Sequence, residues 1–70
     1  MYLNIKNIRL SKKFSQKTLA KKAHISQSYL SKLERNDKLV VLGVRLKTIK
    51  NIAKALNVNE NKILKFNKKD

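Results

Sequence analysis

The chain predicts an all-α, five-helix domain whose second and third helices are joined by a tight turn. Three observations carry this. Apolar residues recur at helical spacing in Leu19-Ala20-Ala23, in Tyr29-Leu30-Leu33 and, over a longer stretch, in Leu46-Ile49-Ile52-Ala53-Leu56. Ser15 and Ser26 stand just before the first two runs, where a hydroxyl can accept from the open amides of a first helical turn. Asn36 and Asn57 follow the last apolar positions, and Asn tolerates the left-handed conformation that ends many helices.

The elements follow in order. Leu3, Ile5, Ile8 and Leu10, with Arg9 and Lys12, suggest a first helix ending near Lys13, after which Phe14 enters the core. The second helix runs from about Gln16 to Ala23, and His24 and Ile25 form the turn. Ser26 opens a third helix from about Gln27 to Arg35, which Asn36 and Asp37 stop. Lys38 to Arg45 contains the apolar run Leu39-Val40-Val41-Leu42-Gly43-Val44. Periodicity leaves it open as an extended loop, a short strand or the start of the fourth helix. The fourth helix carries the long apolar face and ends at Asn57. Asn59 caps a short fifth helix with Ile63, Leu64 and Phe66, and Glu60 suits its positive end. Residues 67–70 read as a frayed tail. There is no proline, one glycine, no repeat and no low-complexity linker, so residues 1–70 are expected to form a single domain.

Seventy residues make a small core, burying about 60% of the unfolded surface. With no cysteine and one histidine, His24, no disulfide, metal site or cofactor is expected. There is no acid pair, no activated nucleophile beside His24 and no glycine-rich phosphate loop, so the expectation is not an enzyme and no small-molecule substrate. No secretion signal is visible, and the apolar run is far shorter than the roughly 20 residues that span a bilayer. A cytoplasmic location with no membrane partner follows as an expectation. Eighteen Lys and Arg face four Asp and Glu, a formal net charge of +14. A polyanion would relieve that self-repulsion, and nucleic acid is the default choice. Lysine richness alone also fits a merely solvated surface; charge joined to a docking motif says more.

The motif supplies that second half. The major groove admits one α-helix, and the exposed residues near its N-terminus reach base edges. In the third helix these are Gln27, Ser28, Ser31 and Lys32. Gln matches adenine through two hydrogen bonds, Lys donates to guanine, and Ser lets the backbone approach. Lys32 has a second reading of equal weight, as a phosphate anchor. Gln16, opening the second helix, can grip a phosphate with its amide and the helix's free N–H groups. Lys17, Arg35 and Lys38, and Ser26 at the helix cap, are placed with it as phosphate contacts. Tyr29 reads as half-buried core and His24 as a turn residue. Arg45 and Lys47 mark a possible second phosphate edge, whereas Lys50 and Lys54 read as solvated.

These residues resemble the phage-repressor, Xre-type helix-turn-helix family. The matching positions are Ile5, Ile8-Arg9, Ser15-Gln16, Leu19-Ala20, the run Ser26-Gln27-Ser28-Tyr29-Leu30-Ser31-Lys32-Leu33-Glu34-Arg35, and Ile52-Ala53-Lys54-Ala55-Leu56-Asn57-Val58, so that roughly Leu3 to Leu64 is covered. The resemblance implies a lambda-repressor-like domain that binds a double-stranded DNA operator, commonly as a two-fold dimer, and represses transcription. It aligns Gln16 with a phosphate-gripping glutamine, Gln27, Ser28 and Lys32 with base contacts, and Arg9 and Glu34 with a structural ion pair. The chain departs from the family twice. The segment after Glu34 is about four residues longer than the common spacing. Lys13 and Asn36 stand where many members have glycine; Asn substitutes easily, but Lys in a left-handed conformation is strained, so the first connection is expected to be built differently.

For the Leu39–Val44 run three readings stand: folding back over the core, contacting a second DNA-bound copy, or partial exposure as an aggregation hazard. Phe66 either caps the core or touches a partner chain. Two alternative functions remain. One is a DNA-binding antitoxin or recombination accessory protein using the same helix. The other, a basic RNA-binding or membrane-active peptide, fits less well: Tyr2, Phe14, Tyr29 and Phe66 are few, mostly committed to packing, and the helices are short and separately capped.

Overall fold

Six helices and one small sheet form the described residues, 1–66, of the computed structural model. In chain order they are β1 (Tyr2–Leu3), α1 (Lys6–Ser11), α2 (Gln16–Lys22), α3 (Gln27–Glu34), α4 (Lys38–Leu42), α5 (Leu46–Leu56), α6 (Glu60–Ile63) and β2 (Leu64–Lys65). The expected frayed tail lies outside the described residues.

The core comes from the apolar spacings. Ile5, Leu19, Leu30, Leu33, Ile52, Leu56 and Ile63 are fully buried, with Ala20, Ala23 and Ala53 between them. The alanines matter for geometry: small side chains let α2 sit close to both α3 and α5, against which it packs. Phe14, Tyr29 and Ile25 are half-buried against this core, and the Lys22 ammonium lies 5.6 Å from the Phe14 ring centroid.

Side chains cap the starts of α2, α3 and α6. Ser15 Oγ accepts from Thr18 N–H and Ser26 Oγ from Tyr29 N–H, each at 3.0 Å. Asn59 Oδ1 accepts from Asn61 N–H at 2.9 Å. Asn57 ends α5 in the left-handed conformation, φ 57°.

The structure corrects several expectations. The apolar run is neither loop nor strand but an extra helix, α4, which makes six helices rather than five. Asp37 opens it, accepting from Val40 N–H at 3.3 Å. The run divides by face: Val41 is buried and Val40 and Val44 pack on the core, while Leu39 and Leu42 are 81% and 79% exposed. Leu3 belongs to β1 rather than the first helix, and Leu64 to β2 rather than the last, because the two strands pair antiparallel with Leu3 opposite Leu64. Such pairing joins segments far apart in the chain, and two-residue strands carry no period to read. Leu10, near the end of α1, and Leu46, the first residue of α5, are exposed rather than part of the buried stripes. Phe66 is exposed and does not cap the core.

The connection after α1 also differs from expectation. Lys13 does take the left-handed conformation, at φ 61°, as do His24 (φ 61°) and Asn36 (φ 56°). Lys13 holds the turn that brings Phe14 inward, its N–H donating to Leu10 O at 3.0 Å. An L-residue there carries strain of about 1–2 kcal/mol that glycine escapes, partly offset by glycine's greater freedom when unfolded. Lys13→Gly is therefore expected to stabilise the fold by up to about 1 kcal/mol, read as a higher urea midpoint; a lower midpoint would mean that the turn tolerates lysine without strain.

Candidate nucleic-acid interface

Helix α3 is built to show one side. Leu30, Leu33 and Glu34 are buried, which fixes its rotation, and Gln27, Ser28 and Lys32 are exposed as a result. Ser31 is half-buried, its Oγ 3.4 Å from Arg35 Nη1. Ser26 is exposed, and while its oxygen accepts the helix-cap bond its hydroxyl proton is free to donate outward.

The fold gathers these side chains. Gln16 from the start of α2 joins Gln27, Ser28, Ser31, Lys32 and Arg35 along one open cleft of about 380 Å³. All four candidate base readers share it, beside the candidate phosphate-gripping amide and one candidate phosphate cation. Lys17 and Lys38 are exposed but do not line it. Among the described residues, no carboxylate lines the cleft. The acid closest in sequence, Glu34, faces inward; Asp37 caps α4 and Glu60 lies on α6.

Glu34 is held by a partner from the other end of the chain. Arg9 Nε donates to Glu34 Oε2 at 2.6 Å, and Arg9 Nη2 donates to Oε1 at 3.1 Å. The Glu34 side chain is 1% exposed. Arg9 Nη1 also donates to Phe14 O at 2.8 Å, and Gln16 Nε2 donates to Glu34 Oε1 at 3.0 Å. One buried charge pair thus ties α1, the α1–α2 connection, the first residue of α2 and the last residue of α3.

Three residues carry roles that the sequence reading lacks. Asn36 does more than replace a glycine: its Oδ1 accepts from Leu3 N–H at 2.6 Å, and its Nδ2 donates to Leu3 O at 3.0 Å. The end of α3 is thereby fastened to the N-terminal strand. Asp37 does stop α3, its N–H donating to Lys32 O at 3.0 Å, and it also opens α4, for which an Asp before an apolar run is a usable signal. Gln16 was read only outward, and nothing in its sequence context showed that part of its amide faces a buried carboxylate.

Two helices meeting through a His24 turn, with the second offering amide, hydroxyl and ammonium groups on a cationic open face, define a helix-turn-helix DNA-binding domain. The family model described as Helix-turn-helix matches residues 5–63, and the chain belongs to the Xre-type helix-turn-helix family. Among solved structures, it is similar to a crystal structure of a serine-to-alanine mutant of the restriction-modification controller protein C.Esp1396I. The two are 35% identical, with a TM-score of 0.69, over 81% of this chain and 69% of that one. No significant match was found among curated proteins. The chain is a sequence-specific DNA-binding regulator of transcription.

Proposed function

We propose that the chain represses transcription by placing α3 in the major groove of an operator, with a second copy on an adjacent half-site. The observation that carries this is the shared cleft: the four candidate readers Gln27, Ser28, Ser31 and Lys32 lie together with Gln16 and Arg35. Gln16, Lys17, Ser26, Arg35 and Lys38 fix the register on phosphates, and the readers select the bases. Occupancy of a promoter then excludes polymerase. The site of action is the cytoplasm; among the described residues, no helix is long and apolar enough to cross a membrane.

Selection of bound duplexes from a random library tests the reading. Recovery of a palindrome with half-sites about 34 Å apart, or a multiple of that, supports it; recovery of no preferred sequence rejects it. A promoter–reporter fusion carrying the selected site settles the sign of regulation, with silencing expected. Gln27→Ala should cost about 1–3 kcal/mol at one base position and relax preference there, whereas Lys17→Ala should weaken all sequences alike. Equal losses on every duplex for Gln27→Ala would remove it from base reading.

The second copy is expected to join on DNA rather than in free solution. Like charge of +14 on each chain opposes association until phosphates neutralise it. The exposed Leu39, Leu42 and Leu46 offer an apolar contact, within the few hundred Å² that a monomer can leave open. Leu39→Ser with Leu42→Ser should leave half-site affinity unchanged and lower the cooperativity of full-site binding in a gel-shift titration. Unaltered cooperativity would place the contact elsewhere.

A further inference from the structure

We infer that Glu34 is a positioning residue for DNA binding: through Gln16 it fixes the amide that meets the phosphate backbone. The inference rests on the reading of Gln16 as a phosphate contact. Exposed glutamines keep their side chains mobile, and ordering one on binding carries an entropic cost. Gln16 is half-buried, and its Nε2 already donates to Glu34 Oε1 at 3.0 Å. An amide nitrogen has two protons. One is held by Glu34, which leaves the other for an anion at the cleft that Gln16 lines with Gln27 and Arg35.

The rest of the network makes this arrangement compatible with an anion. A bare carboxylate one hydrogen bond behind a phosphate-facing amide would repel the phosphate. Arg9 removes that difficulty, because its guanidinium donates to both oxygens of Glu34. Its third contact, to Phe14 O at 2.8 Å, sets the connection leading into α2 and hence where Gln16 begins. The ion pair therefore acts on the ligand side as well as on the fold, although neither of its members lines the cleft.

The experiment compares four proteins by duplex affinity: the unchanged chain, Gln16→Ala, the apolar pair Arg9→Met with Glu34→Leu, and all three substitutions together. Replacing both ions keeps the fold accessible, since buried ion pairs often give way to apolar residues without loss of stability. Gln16→Ala is expected to weaken binding about ten- to hundredfold, the scale of one hydrogen bond to a charged group. The apolar pair should weaken it by a similar factor, and the triple variant should be no worse than either. Losses that multiply would overturn the coupling while leaving Gln16 on the phosphate. No loss for Gln16→Ala would overturn the phosphate contact itself. A measurement on the unchanged chain stands apart from any folding defect. In the free protein, the Gln16 side-chain amide protons should exchange with water more slowly than those of Gln27, as NMR can measure; a pair that exchanges as fast as that of Gln27 would overturn the proposal.

Discussion

Glu34→Ala is expected to destabilise the domain by about 3–5 kcal/mol, because it strands the Arg9 guanidinium in a buried site. The cost arises from what is left behind. Arg9 is 8% exposed, and its Nε and Nη2 both lose their acceptor. Water cannot replace that acceptor without opening the contact between α1 and the end of α3. Stability near 0.05–0.15 kcal/mol per residue gives a chain of this length roughly 4–10 kcal/mol in total. The loss is thus a large share of the whole, and a urea titration followed by circular dichroism should show the midpoint collapse. Arg9→Ala should act similarly, stranding the carboxylate instead. Arg9→Met with Glu34→Leu should recover most of the loss, since no ion is then left unpaired. A midpoint for Glu34→Ala equal to that of the unchanged chain would mean that water reaches the pair in solution.

The second large effect is on binding. If Lys17, Arg35 and Lys38 meet phosphates as proposed, two copies on a full operator would bring twice that number of cations. Each neutralised phosphate contributes about −0.9 to the slope of log affinity against log salt, so a dimer gives a slope of about −5. Raising salt from about 50 to about 200 mM then weakens full-site binding by on the order of 10³. A single copy on a half-site has about half that slope and loses only tens-fold over the same range. Fluorescence anisotropy with full-site and half-site duplexes measures both. Equal slopes on the two duplexes would reject paired binding. A slope near zero would leave the charge of the chain without a role on DNA.

Local chemistry made the reading motif legible. Ser15 and Ser26 cap helices wherever a following turn has open amides, and the structure places both hydroxyls in that role. The positions of Leu30 and Leu33 fix which side of α3 is buried, so Gln27, Ser28 and Lys32 follow as exposed from spacing alone. The left-handed Lys13 was legible as an anomaly, but not its outcome: whether a turn accepts strain depends on what the turn delivers, here Phe14 into the core.

The apolar stretch after α3 shows where sequence reading stopped. Six residues with one glycine suit a loop, a strand or a helix, and only the packing of Val41 against the core, with Asp37 at the start, selects a helix. Its length over the family pattern was readable; the exposure of Leu39 and Leu42 was not.

Legible in the chain alone are the capped helices α2 and α3, the long apolar face of α5, and the residue types offered at the start of α3. These depend on neighbours three or four positions away, and such neighbours are visible in a one-dimensional string. Packing in three dimensions set the contacts that close over long separations: Leu3 opposite Leu64, Asn36 on Leu3, and Gln16 turned toward Glu34. Hydrogen bonds of that kind depend on the relative placement of whole helices, which is settled by how the complete core fills space.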